Sequence, residues 1–164
     1  MRTDFRNLPD TARVWVFAAR DPIRGERVEL LLREVDAWLD EWQAHGVSLV
    51  CARDWRDDHF LAIGVDQSVE GASGCSIDAL FRVFQGLQSA LGTTLLGGGR
   101  VFYRDGTGMV RSVERPPFAR LRETGEVHDA TPVFDTTLTD AAAWRHAFER
   151  PLADSWHRQV ASPR

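Results

Sequence analysis

Apolar residues fall in two rhythms along this chain. Val28, Leu31, Leu32, Val35, Trp38, Leu39 and Trp42 recur at steps of three and four with Arg, Glu and Asp between them, the signature of a helix with one buried face. His45-Gly46 reads as its stop, because Gly adopts the left-handed turn and His suits a helix carboxyl end. Ile77, Leu80, Phe81, Phe84, Leu87 and Leu91 predict a second helix, with Ser76 as its N-cap and Asp78 in its first turn. The other rhythm is that of strands. Residues 13–18 (RVWVFA) form a short run rich in β-formers, and residues 47–52 alternate. Residues 60–65 (FLAIGV) are apolar on both faces, which predicts a central strand, and residues 100–104 form a fourth. A polar turn at 56–59 makes a hairpin of the second and third strands.

The order β-α-β-β-α-β predicts an α+β, ferredoxin-like split sheet. The remainder is less regular: a turn at 105–108 into a strand at 109–113, a helical turn near 118–123, a short strand at 132–135, and helices beginning near Thr139 and Pro151. The expectation is one domain, with a core over 13–104 and a C-terminal extension of short strand and helices over 105–164. In that topology the end of the first helix, the end of the third strand and the start of the second helix share one edge. Trp42, His45, Asp66 and the loop 71–78 would gather there.

Composition narrows the function. The 164 residues carry a net charge of −4, which argues against a nucleic-acid partner in the absence of a concentrated basic face. All 20 basic residues are arginine. A GC-rich genome explains this most simply; selection for bidentate anion contacts has to be argued site by site. No apolar run approaches bilayer length, so no membrane partner is expected. Two cysteines without C-x-x-C spacing point to a reducing cytoplasm.

The loop 66–78 (DQSVEGASGCSID) carries the best chemical signal. Cys75 stands at a helix start, where the dipole favours thiolate; His45 would complete a thiolate–imidazolium pair and Asp66 would orient it. The plainer reading is a small cysteine filling tight space in a small-residue loop. Alternatively, Gly71, Ser73, Gly74, Ser76 and Asp78 form an anion cradle at the helix start, although Glu70 and Asp78 would repel an anion. The loop matches neither G-x-x-x-x-G-K-[ST] nor G-x-G-x-x-G, and Arg82 lies one residue too far for a cysteine-phosphatase loop. His59, His128, His146 and His157 show no metal-ligand spacing, so no metal or other cofactor is expected. Ser155 and His157 are close in sequence but, on a helix, would not face each other. Trp55 and Trp156 fit no predicted core face.

Several segments resemble a set of small bacterial proteins often labelled "ABC transporter ATPase": 13–17 (RVWVF), 42–46 (WQAHG), 60–67 (FLAIGVDQ), 71–78 (GASGCSID) and 154–157 (DSWH). That label implies a Walker A loop and an ABC signature. This chain has neither, so no ATPase of the P-loop type is expected. The resemblance implies a family and no activity.

The function expected from these features is a non-catalytic cytoplasmic binding or assembly module, its partner a protein, a small ligand or a second copy of the chain. The alternatives are a Cys75-dependent enzyme or thiol sensor, and anionic small-ligand or nucleotide binding at the 71–78 loop.

Overall fold

A computed structural model describes residues 1–160 as a mixed α+β architecture. Strands β1 (Arg13–Ala18), β4 (Cys51–Arg56) and β5 (Phe60–Val65) form one antiparallel sheet in the order β1-β5-β4, with helices α1 (Glu26–Asp40) and α2 (Gly74–Leu91) packed on one face. Between α1 and β4 lies a hairpin of two-residue strands, β2 (Gln43–Ala44) and β3 (Val47–Ser48). A second antiparallel sheet follows, in the order β7-β6-β8-β9, from β6 (Val101–Arg104), β7 (Val110–Val113), β8 (Pro132–Phe134) and β9 (Glu149–Pro151). Helices α3 (Arg115–Glu123) and α4 (Ala141–His146) complete the set. Among the described residues no helix is long and apolar enough to cross a membrane.

The period of two decides the first sheet. Trp15 and Phe17 of β1, Cys51 and Trp55 of β4, and Leu61, Ile63 and Val65 of β5 face α1 and α2. Their neighbours Val14, Val16, Ala52, Phe60 and Ala62 face the opposite way, onto Phe5, Leu8, Phe102, Phe134, Trp144 and Phe148. Every residue of β5 is buried, as a central strand between two cores requires. Trp55, unplaced by pattern, is an inward residue of β4, because the strand runs on to Arg56.

Three expectations change. The fourth strand does not join the first sheet. The chain turns through Gly97–Gly99, Gly99 at φ +84°, and carries β6 into the second sheet. The outer edge of β1 is taken instead by residues before α4: the Val14 N–H donates to the Thr139 carbonyl at 2.9 Å, and Arg13 pairs with Asp140. The boundary expected after residue 104 therefore falls inside the second sheet. Second, α1 ends at Asp40, and His45 is no helix cap. His45 and Gly46, at φ +52° and +77°, are the two turn residues of the β2–β3 hairpin, where a type I′ turn needs both in the left-handed region. Third, α2 begins three residues before Ile77. Ser73 is its N-cap, accepting the Ser76 N–H at 3.2 Å, while the Ser76 hydroxyl donates to the Ser73 carbonyl at 2.8 Å. At the C-terminal side, Pro151 closes β9 rather than opening a helix, and 3-10 turns follow at Leu152–Asp154 and Trp156–Gln159.

Candidate functional site

The registers of β1, β4 and β5 set Arg13, Cys51 and Val65 side by side, so the β2–β3 hairpin and the loop into α2 leave from the same end of the first sheet. His45, Asp66 and Cys75 share that end. Among the described residues no hydrogen bond or ion pair joins them. His45 is exposed on its turn. The Asp66 carboxylate accepts the Ser68 N–H at 2.9 Å, which holds its pKa below the ordinary aspartate range, and it orients no imidazole. Cys75 is exposed, which overturns the packing role expected of it. The packing cysteine is Cys51: its thiol is fully buried, donates to the Leu39 carbonyl at 3.5 Å, and is pushed by burial up to a pKa of about 11. In the 71–78 loop, the cap engages the Ser73 hydroxyl as acceptor and the Ser76 hydroxyl as donor; Gly71 lies near the Gln67 side chain, Gly74 faces open space, and Asp78 is exposed.

The geometry also corrects the reading of Ser155 and His157. Ser155 is the extended N-cap of a 3-10 turn, and its Oγ lies 2.6 Å from His157 Nδ1 while accepting the His157 N–H at 3.3 Å. The two side chains do meet. They remain a structural cap: the imidazole is 1% exposed and stacked under Trp156 with centroids 3.8 Å apart. Burial lowers its pKa to about 4. Asp135, the nearby carboxylate, accepts from Thr137 and from Trp156 Nε1 at 3.2 Å rather than from the imidazole. No cluster of His, Cys, Asp and Glu among the described residues is arranged to hold a metal ion.

Arginine-lined concavities are several, and charge balance separates them. In one of about 520 Å³ near the N-terminal arm, Arg2, Arg6, Arg53, Arg56 and Arg145 are each paired with an aspartate. In another, beside the second sheet, Arg104 lies between Glu149 and Asp57, Arg24 meets Asp58 and Arg111 meets Asp105. These are internally neutralised networks.

The cleft where the two sheets meet is different. It measures about 470 Å³ and is lined by Arg20 beyond β1, Gly97–Arg100 on the crossover, and Glu114, Arg115 and Pro116 at the start of α3. Neither Arg20 nor Arg115 meets a carboxylate among the described residues. Arg115 stands over the Trp156 ring at 5.8 Å, so the tryptophan unplaced by pattern supports a cation at the rim. Arg100 is held rigidly: Nε donates to Ser112 Oγ at 2.6 Å and Nη2 to the Ser112 carbonyl at 2.9 Å, leaving Nη1 4.0 Å from Glu114, which is 74% exposed. Three arginines and one solvated carboxylate thus line the cleft. Helix α3 adds its dipole but few donors, because Pro116 and Pro117 remove two of its first N–H groups. The arginines must therefore supply the recognition. The sequence pattern does not single out these residues; the one available signal is an Arg directly after three consecutive glycines. Comparison with protein-family models, curated proteins and solved structures gives no match.

Proposed function

We propose that this protein is a non-catalytic binding module for a small anion, seated in the cleft between Arg20, Arg100 and Arg115. The observation that carries this is charge imbalance: three arginines line one concave surface with a single, largely solvated carboxylate beside them. Repulsion among the cations is relieved by an anion, and a fixed guanidinium such as Arg100 loses little freedom on binding it. The lining contains no imidazole, thiol or carboxylate pair, which fits retention of a ligand rather than its conversion. The three-stranded sheet with its two helices then serves as the larger part of a split β-α-β scaffold, with the second sheet supplying the other cleft wall. The two free thiols fit a reducing cytoplasm.

Titration calorimetry with inorganic phosphate at low ionic strength tests the reading. Saturable binding is expected, weakened several-fold by Arg20→Ala or Arg115→Ala and about tenfold or more by the double substitution. Equal binding by the wild-type protein and the double variant would refute it.

A further inference from the structure

The anion cleft does not end at the glycines. Gly97, Gly98, Gly99 and Arg100 also line a second concavity of about 290 Å³ whose other walls are largely apolar: Val16, Phe17 and Ala18 of β1, Phe81 of α2, Leu95, Leu96 and Phe102, with Thr136 and Thr137 at one side. Phe81 is 39% exposed although its ring packs edge-on against Phe17 at 5.5 Å. An aromatic at that position is anchored by the core and still presents area to solvent in the groove. The ridge between cleft and groove is bare backbone. A Cβ built on Gly98 or Gly99 meets nothing within 4 Å, so the backbone shared by the two concavities borders open space.

We infer that the ligand is an amphipathic anion in free solution, with its charged head among Arg20, Arg100 and Arg115 and its single aliphatic chain laid over Gly98 and Gly99 into the groove beside Phe17, Phe81 and Phe102. This rests on the anion-binding reading above and adds the chemical class of the ligand. A cationic site running directly into an apolar trough is complementary to a molecule with the same two halves. A purely polar anion would leave Phe81 and Leu96 in water. A neutral apolar molecule would leave the arginines unneutralised. The ridge matters because any side chain on it would stand across the path joining head to tail.

Gly98 is the decisive position. Its φ is not in the left-handed region and its Cβ has room, so Gly98→Leu introduces bulk on the ridge without backbone strain. Binding of octyl phosphate, kept below its micelle concentration, is compared calorimetrically with inorganic phosphate and with octanol. The wild-type protein is expected to bind octyl phosphate at least tenfold more tightly than inorganic phosphate, since burial of only two methylenes corresponds to about that factor. Gly98→Leu and Phe81→Ser should each abolish most of that advantage, and Phe81→Ser, whose residue lies outside the anion cleft, should leave inorganic phosphate binding unchanged. If octyl phosphate gains nothing over inorganic phosphate and both remain dependent on Arg20 and Arg115, the amphipathic ligand is refuted and the anion site stands. An advantage that survives both substitutions, or octanol binding as tightly as octyl phosphate, also refutes it. If neither phosphate binds, both readings fall together.

Discussion

The buried His157 makes the stability of this fold depend on pH in a defined window. The imidazole is 1% exposed, and burial lowers its pKa from 6.5 to about 4. In the unfolded chain it takes a proton near pH 6.5; in the folded chain it stays neutral until about pH 4. Between those values the unfolded state binds more protons, so unfolding becomes easier as pH falls. The stabilisation from a neutral His157 is complete above 6.5, declines through the window, and levels off below about 4. At about 1.4 kcal/mol per pH unit, the gap between 6.5 and 4 corresponds to up to about 3 kcal/mol. That is a large part of a stability of order 5–15 kcal/mol. Asp135 acts in the same direction but at lower pH. Its burial raises the pKa, yet hydrogen bonds from Thr137 and Trp156 outweigh that and hold it below the usual value of 3.8. His157→Asn isolates the imidazole, because the side-chain amide can accept from or donate to Ser155 Oγ and cannot take a proton. Urea denaturation at intervals from pH 4 to 8, fitted for wild type and variant, gives the difference in slope directly. The variant is expected to be less stable at pH 7.5 and to lose distinctly less stability on acidification to pH 4.5. Parallel profiles for the two proteins, or an imidazole titrating near 6.5 by NMR in the folded protein, would refute this account.

Two further outcomes test other parts of the structure. Gly64→Ala should cost about 1–3 kcal/mol by overpacking, because its Cβ would lie 2.5 Å from Leu8 Cδ1 and 3.1 Å from Phe5; a shift of the urea midpoint measures it, and an unchanged midpoint would mean that the N-terminal arm does not pack on β5. Iodoacetamide at neutral pH should modify Cys75 in the folded protein and Cys51 only on unfolding, read by mass spectrometry; labelling of both at one rate would contradict their opposite exposures.

The sequence was most informative where one residue's environment is set by its neighbours along the chain. Residues 60–65 had to lie between two apolar layers because both parities of the strand are apolar, and α1 and α2 follow from stripes repeated over three or more turns. The second sheet was legible as strands but not as a sheet: 100–104, 109–113 and 132–135 read as strands, yet nothing local pairs them, and β9 has only three residues, all exposed, too few for a period. His45 shows how two local rules can compete. An apolar stripe running to Trp42 and then His-Gly looks like a helix and its stop, yet Trp42 is buried against Trp15 and Trp38 beyond the end of α1, and the same His-Gly serves a two-residue hairpin instead.

The candidate site was illegible for a deeper reason. Arg20, Arg100 and Arg115 belong to three separate segments, and each is unremarkable where it stands. Their convergence depends on the direction the chain takes after Gly97–Gly99, which no local preference of a triple glycine dictates. That direction is selected by Phe102, which packs against Phe60 at 5.2 Å beneath the first sheet. With Phe102 committed to that layer, β6 lies across the far face of β5 rather than alongside β1, and residues 139–141 are left to cover the β1 edge. The same displacement opens the cleft between the sheets and places Arg100 in the same lining as Arg20. An aromatic contact in the second core and the arginine-lined cleft are thus consequences of one departure from the four-stranded sheet, and the glycines that permit the departure are the residues left bare between the cleft and the groove.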